Sequence, residues 1–151
     1  MICPIVLHPD PILQEPCTQI PSPDDFWNLR RDLLDTLSHY GGYGLASPQI
    51  GKRWRVFICK GIFCVSPIIT RVGGSTSIEE EGCLSVPDVY VLVERPDWIK
   101  VKFTTLTGEK IESKLNGFSA RVFQHELDHL DGILILSKGK IVESDNKTKK
   151  A

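Results

Sequence analysis

The sequence predicts an α+β domain. Three observations support this: an apolar period of helical spacing between Pro23 and Ser38, a β-rich middle from Trp54 to Leu115, and a return to helical spacing from about Ser119. At 151 residues the chain is the size of a single domain, residues 1–151, and nothing in it argues for two.

The N-terminal stretch carries Pro4, Pro9, Pro11, Pro16 and Pro21. Proline fixes φ and removes a backbone donor, so this stretch is expected to run extended over the surface as a wrapping arm. Ser22 to Asp25 then supplies N-cap candidates and early negative charge, and Phe26, Leu29, Leu33 and Leu37 recur at helical spacing until Gly41-Gly42 stops the pattern. In the middle, Trp54 to Cys59, Val89 to Val93 and Trp98 to Phe103 are rich in β-branched and aromatic residues, and the last alternates apolar residues with lysine. Thr107-Gly108-Glu109 is expected to turn that strand back into Lys110 to Leu115, and Asn116-Gly117 to end the sheet region. In the second helix Ala120, Val122, Phe123, Leu127 and Leu130 cover one broad arc, with Arg121, Gln124 and Asp128 opposite, and His125, Glu126 and His129 at the edge. The segment 137–151 is lysine-rich, has little to bury and is expected to be a flexible tail.

Lys plus Arg number 18 against 19 Asp plus Glu. The resulting net charge of −1 gives no reason to expect nucleic acid or an anionic membrane as a partner. No apolar stretch approaches a bilayer span, and the N-terminus lacks the basic and long apolar regions of a signal peptide, so a cytoplasmic protein is expected. Five cysteines, an odd number without regular spacing, fit thiols in a reducing compartment.

His125-Glu126-Leu127-Asp128-His129 is an HExxH motif on a helix, where the i, i+4 spacing puts both imidazoles on one face, close enough to share a metal ion. Glu126 then stands beside that ion, where its carboxylate can act as a base toward a water made acidic by the metal. A catalytic site usually takes three protein ligands. The best third candidate is Cys83, preceded by Gly82, which permits close backbone approach; the alternative is a cysteine that simply packs. Cys3, Cys17, Cys59 and Cys64 are assigned to packing, with Cys59 and Cys64 a possible pair by proximity in sequence. Gly42 to Gly51 is a glycine-rich turn that lacks the lysine and spacing of a phosphate loop, and alone it reads as a connector between helix and strand.

Together the blocks GYGLASPQI, EGCLS and QHELDH resemble the peptide deformylases in order and approximate spacing, with looser similarity from about Leu7 to Leu136. The resemblance implies small mixed or antiparallel β-sheets packed around a central HExxH helix, and an enzyme that hydrolyses the formyl group from the N-terminal formyl-methionine of new proteins. It implies Cys83, His125 and His129 as metal ligands and Glu126 as general base and acid. Gln49 and the backbone N–H of Leu84 become oxyanion donors, in keeping with placing donors where charge develops. Gly42, Tyr43, Gly44, Glu81, Tyr90, Arg121 and Val122 would line the substrate. The natural ion implied is Fe(II), with Zn(II) or Ni(II) expected in purified protein. The implied partners are N-formyl-methionyl nascent peptides, at or near the ribosome, acted on by a monomer.

Tyr43, Ser47, Tyr90 and Arg121 depart from the commoner residues of the family and bear on substrate preference. The short link Lys60-Gly61-Ile62 and the lack of a long C-terminal helix resemble the compact forms encoded by some phages. Two rival readings remain: an HExxH metallopeptidase, and a non-catalytic zinc-stabilised binding protein. The first normally takes a downstream His or Glu as third ligand, but no His follows His129, and Glu143 lies in the expected flexible tail. The second would usually need a fourth protein ligand.

Overall fold

The structure, a computed structural model, describes residues 1–142. It has two α-helices, α1 (Phe26–Tyr40) and α2 (Gly117–Leu130). Six strands accompany them: β1 (Gly44–Ala46), β2 (Val56–Cys59), β3 (Ile62–Cys83), β4 (Val86–Thr104), β5 (Lys110–Asn116) and β6 (Gly139–Val142). The strands form one connected sheet in the order β1-β2-β3-β4-β5, with β6 on a separate stretch of β4, and every strand pair is antiparallel.

A single sheet stands where several small ones were expected. The reason is the length of β3 and β4, 22 and 19 residues, which stay paired through four register shifts. Such shifts bend a strand, letting one ribbon serve two parts of the core. The separately expected strands Val89 to Val93 and Trp98 to Phe103 are therefore two reaches of β4. Pro96 lies between them, opposite Thr76 beside one of these shifts, where a missing backbone donor is tolerated.

Helix α1 starts after a 3-10 turn, Pro23–Asp25, whose cap is the Ser22 hydroxyl accepting from the Asp24 N–H. It buries Phe26, Leu29, Leu33 and Leu37, the positions the period predicts, against Leu45, Val56, Ile58 and Phe63. Helix α2 begins two residues before the expected Ser119, with Gly117 at φ 55° as its first residue rather than the end of the sheet. Its apolar arc, Ala120, Phe123 and Leu130, packs on Phe57, Ile99 and Val101. The expected polar side is also covered: Arg121 and Gln124 are buried, and Gln124 Nε2 donates to the Pro96 carbonyl.

The expectation of a flexible segment 137–151 is corrected over its first part. Gly139–Val142 pairs with Tyr90–Val93 as β6, and a β-carbon on Gly139 would fall 1.7 Å from the Leu92 carbonyl oxygen, so only glycine allows this approach. The remainder of that segment lies outside the described residues. The N-terminal arm runs over the surface as anticipated and is tied by Val6 N–H to Gln49 O and His8 N–H to Ser85 O. Both anchors adjoin the site described next. Among the described residues no helix is long and apolar enough to cross a membrane.

Candidate active site

Three elements deliver the candidate residues. Cys83 ends β3, and Leu84-Ser85 forms the two-residue turn into β4, with Cys83 opposite Val86. His125, Glu126 and His129 come from α2. Gln49 comes from a 3-10 turn, Ser47–Ile50, directly after β1.

These side chains converge. Ligand atoms of Cys83, His125 and His129 all lie within 4.8 Å of one another, all three residues are buried, and Cys83 Sγ is 3.4 Å from His129 Nε2. The two imidazoles sit 5.0 Å apart between ring centres. Nδ1 of His125 lies 2.9 Å from a Glu81 oxygen, while its Nε2 is buried without a protein partner. A nitrogen held on one side and left open on the other is the arrangement of a metal-ligating histidine. Burial opposes charge on His125, but Cys83, Glu126 and Glu81 together hold its pKa well above the ordinary value, so the pocket favours a positive charge. Burial, then the neighbouring His125, pushes His129 well below its ordinary value and keeps it neutral, as ligation requires. Two imidazole nitrogens and one thiol sulfur suit a borderline or soft divalent ion. The residues present therefore fit a metal.

Glu126 is fully buried, and neither carboxylate oxygen has a protein hydrogen-bond partner. Burial raises its pKa to about 7. A carboxyl poised near neutrality can both take and return a proton. Its carboxylate lies against the backbone of Gly44 in β1. The Gln49 side chain is fixed at both ends. Its Oε1 accepts from Ala46 N–H at 3.0 Å, and its Nε2 points toward Ser85 Oγ at 3.1 Å and Cys83 Sγ at 3.6 Å. The amide is thereby aimed at the cluster before any ligand arrives. Leu84, nearly buried, lines a cleft of about 340 Å³ together with Ile5, Leu7, Cys83, Val86 and Tyr90.

The expected substrate residues divide. Gly42 and Tyr43 are exposed on the approach to Gly44, and Tyr90 lines the cleft beside Cys83. Glu81, Arg121 and Val122 are buried. Val122 is wholly buried in the core beneath α2. Glu81 accepts both Arg95 Nε and Nη2, at 2.7 and 2.9 Å, and Arg121 Nη1 at 2.6 Å, while one of its oxygens faces His125. Burial alone would raise the Glu81 carboxyl, but His125 and Arg95 overcome this and hold it far below the carboxylate range. Glu81 thus orients His125, a candidate ligand, from behind. Arg121 reaches that carboxylate because it lies one helical turn before His125, and it also donates to the carbonyls of Val93 and Ser77.

The sequence reading did not single out Arg95, fourteen residues from Glu81, or Ser85, the acceptor for Gln49. A buried salt bridge across strands leaves no local motif. Ser85, directly following Cys83-Leu84, was the more visible of the two. All five cysteines are free; Cys59 and Cys64 pack in the core, and burial pushes the Cys59 thiol up to about 12.

An HExxH helix, an upstream cysteine from a hairpin end and a fixed neutral amide define a metal-dependent hydrolase with a Cys-His-His donor set. The polypeptide deformylase family model matches residues 2–146. A peptide deformylase of Thermotoga sp. (strain RQ2) is 40% identical over 136 residues, covering 85% of this chain and 82% of that one. A peptide deformylase of Desulforudis audaxviator is 40% identical over 144 residues, covering 91% and 94%. The crystal structure of peptide deformylase from Thermotoga maritima superposes with a TM-score of 0.89 at 36% identity, over 93% of this chain and 99% of that one. A Met-Ala-Ser-bound peptide deformylase of Acinetobacter baumannii gives 0.87 at 31% identity, over 91% and 98%. The chain belongs to the polypeptide deformylase family, whose members are enzymes that remove the N-formyl group from nascent peptides.

Proposed function

We infer that this chain releases formate from the formyl-methionyl end of new proteins through Cys83, His125 and His129 as metal ligands and Glu126 as the proton carrier. The observation that carries this reading is the convergence of the three ligand atoms within 4.8 Å beside a buried carboxyl that has no other partner. A divalent ion bound there supplies Lewis acidity, polarising the formyl carbonyl and making water a nucleophile near neutral pH.

The chain's own residues do the rest. Glu126 takes a proton from the attacking water and returns it to the methionine nitrogen as the C–N bond breaks, leaving formate and a free amine. Gln49 Nε2 and the Leu84 N–H donate to the formyl oxygen as it gains charge, and the fixed Gln49 carbonyl means no reorganisation is needed. Among the described residues β1 pairs only with β2, so its other edge is available for the peptide to add as a strand beside Gly44, with binding largely independent of side chains. Tyr43, exposed next to Gly44, and Tyr90, in the cleft wall, are the residues we assign to the side chains after methionine. The Cys-His-His set accepts Zn(II), Fe(II) or Ni(II) alike, and Fe(II) as the working ion is taken from the family rather than from the donors.

The test measures formate release from formyl-Met-Ala-Ser against cleavage of the unformylated peptide, for wild type and Glu126→Ala. Formate release that the substitution abolishes, with metal retained, is expected. Cleavage of the unformylated peptide would instead indicate a metallopeptidase. Metal analysis of protein purified without oxygen should find about one ion per chain, iron first.

A further inference from the structure

The register of β3 against β4 slips beside the ligands. Cys83 stands opposite Val86 while Gly82 stands opposite Tyr90, so β4 carries three extra residues, Pro87, Asp88 and Val89, which bulge from the ribbon. Asp88 turns this bulge at φ 63°, a left-handed value that residues with a β-carbon seldom take. Bulges recur next to active sites, where they re-aim side chains. Here the three residues form one wall of the cleft of about 340 Å³ that begins at Cys83 and Leu84.

Segments far away in the sequence supply the other walls. The N-terminal arm lies along the site with Val6 N–H on the Gln49 carbonyl and His8 N–H on the Ser85 carbonyl, and its Ile5 and Leu7 line the cleft. Tyr40, the last residue of α1, lines it as well. Leu7 and Tyr40 stay 49% and 42% exposed, large side chains at a rim that only an entering group would cover. Among the described residues Asp88 is the one charged side chain on these walls. The path of a peptide is equally constrained. Residues 44–50 are buried throughout, whereas Gly41, Gly42 and Tyr43 are exposed, so a peptide held beside Gly44 with its formyl end at the ligands leaves past Tyr43 and Gly42 toward Tyr40.

We propose that this cleft selects formylated chains whose residue after methionine is large and apolar, with Leu7 and Tyr40 as specificity-determining residues. This selection rests on the deformylase reading and names the class of chain preferred. Because the cleft begins at Cys83 itself, the first residue beyond the formylated methionine is the one that passes it. Backbone pairing beside Gly44 accepts any sequence; the cleft then grades them, because a leucine or phenylalanine takes its own apolar surface and that of the rim out of water together. Alanine leaves the rim wet, and glutamate meets the charge of Asp88 while losing water itself. The side chain one residue further along points to the other face of an added strand, so the preference is confined to one position.

The test is steady-state formate release from formyl-Met-Xaa-Ser and formyl-Met-Ala-Xaa, with Xaa as alanine, leucine, phenylalanine or glutamate. In the first series leucine and phenylalanine should exceed alanine by about tenfold in kcat/KM, the low end for a hydrophobic pocket because this one stays open at its rim, and glutamate should rank last. The gain should lie in KM, since the rim acts away from the formyl carbon. The second series should be nearly flat. Leu7→Ser combined with Tyr40→Ser should erase most of the preference with the melting temperature little changed, both side chains being half-exposed. Leu7→Trp, which fills the cleft, should reverse the preference in favour of alanine. Equal release from all these peptides, a preference untouched by the double substitution, or one expressed in the second series would each overturn the selection while leaving deformylation standing. So would a double variant that instead loses its discrimination between formyl-Met and formyl-Ala at the first residue, which would put methionine itself in the cleft. Formate release from none of these peptides would remove the deformylase reading and the selection with it.

Discussion

A β-carbon on Gly44 would lie 2.6 Å from Oε2 of Glu126. The backbone of β1 and the carboxyl of the HExxH helix therefore occupy adjoining space, and the absence of a side chain at residue 44 sets where the base can stand. Under the proposed function the same strand would take the peptide along its other edge, so one glycine would serve both the base and the path of the substrate.

Gly44→Ala should consequently displace Glu126 while leaving the three ligands in place. A misplacement on the order of 1 Å costs about a hundredfold in rate. The expected outcome is a kcat for formate release lowered by roughly that factor, with near-stoichiometric metal and an unchanged circular dichroism spectrum. Wild-type kcat in this variant would show that the carboxyl can retreat without penalty.

Glu126 also links stability to pH. In the metal-free protein burial raises its carboxyl from 4.5 to about 7. Below about 4.5 the group is protonated in both folded and unfolded chains, and stability is unaffected; between there and about 7 only the unfolded chain ionises, and stability falls as pH rises through the window. The full loss corresponds to roughly 3 kcal/mol. Glu126→Gln removes it, so urea unfolding of chelator-treated protein should find the variant more stable than wild type at about pH 8 and equal to it at about pH 4. Parallel pH profiles for the two proteins would contradict the assignment.

Legibility in the sequence followed the range of the interactions. HExxH is a local motif read from helical spacing, and Cys83 after Gly82 became a candidate from its short neighbourhood, whereas Gln49 became one only through the resemblance of its glycine-rich turn to the deformylases. The positions of α1 that face the core followed from Phe26, Leu29, Leu33 and Leu37 alone. By contrast, the role of Glu81 depends on Arg95, Arg121 and His125, up to 44 residues away, and a carboxylate two residues before a candidate ligand reads the same whether it faces substrate or an arginine. β3 went unread because many of its residues are polar and exposed, paired mainly by backbone. β6 went unread because its partner, Tyr90–Val93, supplies what its own four residues lack.

Gln49 permits a separation of roles. Gln49→Glu keeps the oxygen that accepts from Ala46 N–H but replaces the donor near Cys83 with a second acceptor. Loss of one oxyanion donor costs about 10²–10³ in kcat. The variant should show at least that loss with KM little changed, measured by steady-state formate release. Gln49→Ala should add a stability cost of about 1–3 kcal/mol, because the buried Ala46 N–H is then left without a partner. Equal melting temperatures for the two variants would mean that the Ala46 contact contributes nothing.

Behind the ligands, Glu81 should govern how firmly the metal is kept. It holds His125 by Nδ1, and its two oxygens are shared with Arg95 and Arg121. Partners of this kind typically contribute 10- to 100-fold in metal affinity. Glu81→Gln removes the buried counter-charge shared by the two guanidiniums and loosens the His125 ring, and because Arg95 keeps Asp128 at 2.9 Å and Arg121 keeps Glu79 at 3.4 Å the cost should stay below the roughly 3–5 kcal/mol of a fully unpaired buried charge. Arg121→Leu removes one contact to Glu81, at 2.6 Å, along with the donors to the Val93 and Ser77 carbonyls, while Arg95 still holds the carboxylate in two-point contact. Competition against a chelator should therefore rank retention as wild type, then Arg121→Leu, then Glu81→Gln, with melting temperatures falling in the same order. If Glu81→Gln kept its metal as tightly as wild type, the hydrogen bond to His125 would be a feature of packing rather than of the site.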